Sequence, residues 1–456
     1  MEVDPLMATA TVDGASAGDR ERAASFDLKR LDPAFLDDPY PTYRALREHD
    51  PVHRMPDGSF FLTRYDDLVA IYGDAKTWSS DKKIDFKPNF GDSLLYEHHT
   101  TSLVFNDPPI HTRVRRLLAP TFSPRALKAL QPRIEALVDR LLDAAASRGT
   151  IDKIDDFAAA IPVQLIGDLL GIPDSERGPL RNWSLAILGG LEPVLSRHQF
   201  DSGVRAVAEF KSYLRELVDR RKREGAHDGR EILSTLVGAS ELAGDTAAGD
   251  HLSELELLHN CIFLLNAGHE TTTNLIGNSI HLLVENPDAW RDLKAHPDLI
   301  SSAVEEFLRM ESSNQLGNRR ATRDVVIGGK TLGGKTLGGK TLPAQTYVHL
   351  CIGAANRDPA QFPDPDRLDI RRHPNRHLAF GGGIHTCAGN SLARMEAQVA
   401  LQKLVTRFQT VEQASRGLRL LDIFRRLFHL FPLRRLRVFA AHRFGAARAR
   451  PEARPR

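Results

Sequence analysis

Three consecutive glycines lead into Cys387 in the run Phe380-Gly-Gly-Gly-Ile-His-Thr-Cys-Ala-Gly-Asn-Ser-Leu-Ala-Arg394, and no other stretch limits the chain as much. Without Cβ atoms, Gly381, Gly382 and Gly383 free the backbone from the usual φ limits, so the segment reads as a tight loop able to lie beneath a flat group. The residues after Cys387, Ala-Gly-Asn-Ser-Leu-Ala-Arg-Met-Glu-Ala, read as the first turns of a helix. A cysteine at a helix N-terminus meets unpaired N–H donors and the positive end of the dipole, and both favour thiolate. The expectation is a soft sulfur ligand offered to a metal. The competing reading is a buried structural cysteine beside a glycine turn.

The pattern Phe380-x-x-Gly383-x-His385-x-Cys387-x-Gly389 resembles the signature that holds haem iron in the cytochrome P-450 superfamily. The resemblance implies a mainly α fold (all-α class with minor β regions), with haem b (iron protoporphyrin IX) between a long helix and the cysteine loop and Cys387 as axial iron ligand. Phe380, Gly383, His385 and Gly389 take the cofactor-binding places in that loop. Thiolate donation to iron favours cleavage of a bound O–O bond.

Composition agrees with a large helical enzyme. At 456 residues and 41% hydrophobic content the chain can bury a sizeable core. Three cysteines, Cys261, Cys351 and Cys387, make no disulfide framework, and no secretory leader is read at the start, so a reducing, cytoplasmic location is expected. Apolar stretches such as Cys261–Leu265 fall far short of the roughly 18 residues a membrane span needs. Eukaryotic members of the resembled family usually carry an N-terminal anchor; the Ala-, Asp- and Arg-rich start here points to the soluble bacterial type. Net charge is +2, yet residues 412–456 hold twelve arginines against Glu412, Asp422 and Glu452, which leaves the rest of the chain acidic and unlike a nucleic-acid binder.

Three regions follow. Residues 1–25 are poor in large apolar groups and are expected to be disordered; 26–411 form the catalytic domain; 412–456 are a divergent Arg-rich tail. Strand signal is clearest in Gly58-Ser-Phe-Phe-Leu-Thr, and helical periodicity dominates Leu127–Ala145, Phe157–Leu170, Phe200–Glu224, Ser253–Val284 and Ser301–Met310. The Ser253 segment opens with a capping box, Ser253-x-x-Glu256, and stops before Asn286-Pro287. Its length of roughly 48 Å can cross a whole domain. Residues 328–342 repeat Gly-Gly-Lys-Thr-Leu three times. The frame Gly329-x-x-x-x-Gly334-Lys335-Thr336 is formally a phosphate-binding loop, but that motif needs a helix after it, and turn and strand signals follow instead. Two extra copies read as a ten-residue insertion lengthening a surface hairpin, tolerated because closure cost grows slowly with loop length. The tail alternates arginine with apolar residues, as in a basic amphipathic helix on a membrane; its Arg/Ala/Pro composition fits better the product of a shifted reading frame in GC-rich DNA, with low order expected after about residue 440.

Inside the long helix, Ala267-Gly-His-Glu-Thr-Thr-Thr273 places Ala267, Gly268 and Thr271 on one face. Small Gly268 leaves room for a diatomic ligand, the Thr271 hydroxyl can donate to it, and Glu270 can relay protons. The bland reading is a threonine bonded back to its own helix carbonyl. By resemblance Glu270 and Thr271 are the acid–alcohol pair. His269-Glu270 is no zinc-protease helix, since position 273 is Thr where that motif needs His. For the two haem propionates the resemblance offers His111 and Arg115, four apart in Asp107-Pro-Pro-Ile-His-Thr-Arg-Val-Arg-Arg116, with Arg319 and His385; Arg320 rivals Arg319. Glu306-Phe-Leu-Arg309 resembles the family's Glu-x-x-Arg pair, with Arg367 as third member of a structural ion cluster. His98 and His99 read as surface or pocket-lining residues.

The resemblance implies a monooxygenase that inserts one oxygen atom from O2 into a small or medium lipophilic substrate such as a terpenoid. No flavin or iron–sulfur module occurs in the chain, so electrons must come from a ferredoxin or flavodoxin with its NAD(P)H-dependent reductase. A haem-thiolate isomerase or dehydratase, or a degenerate haem protein impaired by its altered C-terminus, remain the alternatives. Neither nucleic acid nor a transmembrane anchor is expected.

Overall fold

The computed structural model describes residues 17–224, 252–332, 335–337, 339–413 and 435–440. The helices expected from periodicity are present with slightly longer bounds: Pro124–Arg148, Ala160–Leu170, Arg197–Glu224, Glu254–Glu285 and Ile300–Met310. Glu254–Glu285 carries its capping box: Glu256 N donates to Ser253 Oγ and Ser253 N to the Glu256 carboxylate. From Leu257 to Leu283 this helix is buried nearly all round and forms the centre of the main apolar core, with Phe157, Phe210, Phe307 and Leu401 among its neighbours. An apolar helix of this length gains most of its stability from such burial rather than from propensity. The helix Asn390–Arg407, which follows the cysteine, packs against it.

Among the described residues the strands form four separate sheets. The largest sheet has five, in the order Val52–Arg54, Phe60–Leu62, Tyr347–Cys351, Leu316–Ala321 and Trp78–Ser79. Arg319 pairs with Val348 and Arg320 with Tyr347, so the two arginines leave opposite faces of the strand.

Two expectations are corrected here. Residues 17–24 are helical, and Ala23, Phe26 and Leu28 are buried beside Phe35 and Phe61, so the N-terminal segment is structured from residue 17; residues 1–16 lie outside the described residues. Within the tail, residues 435–440 are not separate from the domain either, while residues 414–434, which hold most of the amphipathic stretch, lie outside the described residues. Arg435–Ala440 is the central strand of a three-stranded sheet, antiparallel to Phe408–Gln413 and to Thr150–Asp152. Alternation of apolar and arginine residues fits a strand as well as an amphipathic helix, and pairing on both edges decides for the strand. The low order expected beyond residue 440 lies outside the described residues. In the triple repeat, Lys340–Leu342 of the third copy pairs with Val325–Ile327, while Lys330–Leu332 and Lys335–Leu337 pair with each other as an added hairpin. A strand, not a helix, contains Lys335-Thr336, so the phosphate-loop frame has no helix terminus to present.

Candidate active site

Cys387 ends a loop that folds back on itself: its N–H donates to the Phe380 carbonyl at 3.0 Å, and its carbonyl accepts from Asn390 Nδ2 at 2.6 Å. Gly381 and Gly383 have positive φ. The close approach that needs glycine is to the helix Tyr65–Gly73, because a Cβ at Gly383 would lie 1.9 Å from the Tyr72 carbonyl oxygen. The glycines thus seat the loop on Tyr72. The helix begins at Asn390 with Gly389 as its cap. Burial pushes the Cys387 thiol up, more than the Gly389 N–H draws it down. The bare chain therefore keeps a thiol, and a metal must displace the proton to gain a thiolate.

Phe380 lies under the Arg394 guanidinium, 4.4 Å from the ring centroid, and Arg394 grips Glu305 with Nε and Nη2 at 2.6 and 2.8 Å. His377 Nε2 reaches the same carboxylate at 3.1 Å. This clamp ties the cysteine loop to the helix Ile300–Met310. No sequence spacing announced it, since Glu305 and Arg394 stand 89 positions apart.

The long helix carries one open stripe. Between Leu257 and Leu283 only Phe263, Leu264, Ala267, Gly268 and Thr271 escape full burial, and Ala267 is exposed. An exposed alanine at the centre of a buried helix borders an open space. Gly268 has a further use for its size: a Cβ there would lie 2.5 Å from Ile166 Cδ1, so its smallness also admits the helix Ala160–Leu170. Thr271 Oγ1 donates back to the Ala267 carbonyl at 2.6 Å, and Glu270 is buried one residue before it.

Basic groups gather beside the loop. The His111 and His385 rings have centroids 4.1 Å apart, and both His111 nitrogens and His385 Nε2 are enclosed without a hydrogen-bond partner. Burial, with the nearby Arg319, His111, Arg115 and Lys82, pushes His385 down to about 3. Burial and then Arg115 lower His111 as well. Arg319 lies over the Tyr72 ring at 5.3 Å and, among the described residues, donates to the Asn318 carbonyl alone, whereas Arg320 is committed to Asp85 and to the Gln345 carbonyl. Arg319 is therefore the arginine that belongs to this group. Nitrogens stripped of water and left unpaired signal a missing partner, and Arg115 and Arg319, which both lower the two histidines, make this edge positive and suited to an anion. A thiol on a glycine loop, an open helical stripe and an edge of bases together fit a flat, anionic, iron-bearing group such as haem.

The ion cluster beneath this site has a different third member from the one expected. Arg309 holds Glu306 through Nε and Nη2, both at 2.8 Å, with both side chains fully buried. Arg372 Nε, not Arg367, completes it at 3.2 Å from each Glu306 oxygen, joined by Asn375 Nδ2 at 3.0 Å. The Arg367 side chain points outward, 69% exposed and 3.7 Å from Asp369. Only its backbone carbonyl belongs to the cluster, accepting from Arg309.

Residues 188–420 match the family model described as Cytochrome P-450. The chain is 36% identical over 408 residues to cytochrome P-450 107B1 of Saccharopolyspora erythraea, covering 85% of this chain and 92% of that protein. It is 38% identical over 377 residues to the vitamin D(3) 25-hydroxylase of Pseudonocardia autotrophica, covering 81% and 86%. Among solved structures, P450BioI in complex with an acyl carrier protein ligated to hexadec-9Z-enoic acid superposes with a TM-score of 0.78 at 33% identity, over 90% of this chain and all of that one. Among the described residues no helix is long and apolar enough to cross a membrane. The chain belongs to the cytochrome P-450 family and is a monooxygenase of that family, which implies a haem cofactor, O2 and a redox partner.

Proposed function

We propose that this monooxygenase uses haem b to insert one oxygen atom into a small or medium lipophilic substrate, drawing electrons from a separate ferredoxin or flavodoxin with its NAD(P)H-dependent reductase. One observation carries the assignment: unpartnered His111 and His385 nitrogens beside Cys387, with an exposed Ala267 on the helix packed nearby. Haem supplies thiolate-ligated iron able to activate dioxygen. Cys387 would bind the iron through its sulfur, with Phe380, Gly383 and Gly389 shaping the loop, and His111, Arg115, Arg319 and His385 would hold the propionates. Three cysteines at 261, 351 and 387 contain no Cys-x-x-Cys-His, which supports a non-covalent, b-type group.

Along the open stripe, exposed Ala267 leaves space where O2 and substrate would be admitted. Buried Glu270 stands beside Thr271 as the acid of the pair, and the Thr271 hydroxyl, now donating to the Ala267 carbonyl, must turn to serve any other acceptor. Glu306 and Arg309, with Arg372 in the place read for Arg367, brace the loop. A vitamin D(3) hydroxylase among the relatives supports a lipophilic substrate, and the reduced, unpaired cysteines support a cytoplasmic location. The Glu270–Thr271 pair favours oxygenation over isomerisation, which needs no proton relay of this kind. The test is the carbon monoxide complex of the reduced protein. A red-displaced Soret band that disappears in Cys387→Ala is expected; no such band, or its survival in the variant, overturns the proposal.

A further inference from the structure

The clamp on the cysteine loop is an ion pair, and its charge lies where it can reach the sulfur. Arg394 commits all three of its guanidinium nitrogens: Nε and Nη2 to Glu305 at 2.6 and 2.8 Å, and Nη1 to Asn390 Oδ1 at 3.0 Å. Asn390 Nδ2 in turn donates to the Cys387 carbonyl at 2.6 Å. The same guanidinium covers the Phe380 ring at 4.4 Å, and the Phe380 carbonyl accepts the Cys387 N–H at 3.0 Å. Arg394 therefore reaches Cys387 by two routes, and bonds on every nitrogen fix its plane.

These contacts give the pair a direction. Nε and Nη2 face the carboxylate of the helix Ile300–Met310, while Nη1 and the face of the guanidinium belong to the loop, so the positive member is the one nearer the cysteine. The electrostatics at the sulfur agree. Burial raises the Cys387 thiol, and the Gly389 N–H, Arg115 and Arg394 draw it down. Arg115 belongs to the basic edge set against the propionates, whereas Arg394 is bonded to the cysteine's own loop. His377 adds no charge to the pair: the Ala379 N–H donates to its Nδ1 at 3.2 Å, so the ring proton sits on Nε2, which donates to Glu305 at 3.1 Å. One positive and one negative charge thus balance each other, and removing either leaves the other uncompensated beside the loop.

We propose that Arg394 and Glu305 are positioning residues that set how strongly the Cys387 sulfur donates to a haem iron, Arg394 restraining the donation and Glu305 limiting that restraint. This rests on the haem-thiolate reading. A positive charge near the sulfur favours the ferrous state, which carries one more electron, and so raises the reduction potential. The test is the ferric/ferrous potential of the holoprotein, with the C–O stretch of its ferrous carbon monoxide complex measured in parallel. Arg394→Met should lower both, because greater electron density on iron weakens the C–O bond, and Glu305→Gln should raise both. Each should change the ferric-to-ferrous ratio by about threefold, the size expected of a partly solvated unit charge, which is about 28 mV for one electron. The double variant should fall between the two, and Arg394→Lys, which keeps the charge but not the fork, should stay near the natural value. A clamp that acts by shape alone would move both single variants the same way and Arg394→Lys with them. Shifts of one sign, or none, overturn the proposal. Should Arg394→Met lose its haem, Glu305→Gln decides, since only a rise is consistent with this role. Absence of the red-displaced carbon monoxide band in the natural chain would instead sink the haem-thiolate reading.

Discussion

Replacing Arg372 by Met should cost far more stability than the same change at Arg367. In the structure Glu306 is fully buried and faces two guanidiniums, Arg309 from its own helix and Arg372 from the segment before the cysteine loop. Removing one partner of a buried ion cluster typically costs about 3–5 kcal/mol, because the remaining charge keeps its desolvation penalty. Here the lower end applies. Glu306 would still accept from Arg309, from Asn375 Nδ2 and from the Asp369 N–H at 2.9 Å. Methionine keeps the aliphatic stem, so the loss is of charge and hydrogen bonds rather than volume. Arg372→Met is therefore expected to cost about 3 kcal/mol. Arg367→Met removes an exposed guanidinium 3.7 Å from its carboxylate, worth under about 0.5 kcal/mol. At about 2.1 cal/mol/K per residue, the 456-residue chain has an unfolding entropy of about 1 kcal/mol/K. Calorimetry of the holoprotein should thus show Tm falling by about 3 °C for Arg372→Met and by under about 1 °C for Arg367→Met. Equal shifts, or a larger one at Arg367, would refute the assignment of the third cluster member.

Gly383→Ala should lower both Tm and retained haem, because its Cβ meets a backbone oxygen at 1.9 Å and φ is +64°; Gly381→Ala, with nothing within 4 Å, should lose only the left-handed penalty of about 1 kcal/mol, read by urea unfolding. Deleting residues 328–337 should leave Tm and haem content nearly unchanged, since Ile327↔Lys340 is already a pair and Gly338-Gly339 then forms a two-residue hairpin turn; a loss of folded protein would show that the added hairpin supports the domain. Glu396 is buried with Oε2 unpartnered, and burial raises its pKa from 4.5 to about 8. A proton held in the folded state and released on unfolding favours the fold fully below about pH 4.5, and the benefit drains away as pH rises towards about 8. Glu396→Gln should accordingly gain stability relative to the natural chain as pH goes from 5 to 8, measured by urea unfolding; parallel pH profiles would contradict this.

What the sequence disclosed divides along a physical line. Covalent neighbours were readable: the glycines, His385 and Cys387 share one loop, Glu306 and Arg309 share one helical turn, and the Ser253–Glu256 box marks where the long helix starts. Groups joined only by folding were not. Arg372 enters the buried cluster through the path of the chain between Pro363 and His377, and nothing in the spacing favoured it over Arg367. The Arg394–Glu305 clamp and the seat on Tyr72 are likewise contacts across many positions. Gly268 shows the same limit from the other side. Its size was legible, but which neighbour used the space was not, because that depends on where Ile166 lands.

The tail carries this argument furthest. Read alone, Arg435–Ala440 has an ambiguous pattern, since alternating charge and apolar residues suit a strand, a membrane-bound helix or a segment with no fold of its own. Its pairing with Thr150–Asp152, far earlier in the chain, removes the ambiguity, because a strand with a ladder on both edges satisfies its backbone donors and acceptors whatever its side chains are. The same strand meets the segment that follows the cysteine helix, Phe408–Gln413, and so closes a continuous path from Cys387 through Asn390–Arg407 into the sheet. Composition of a segment such as 435–440 therefore says little about whether it is folded. The available partner edges decide it, and here the domain provides two.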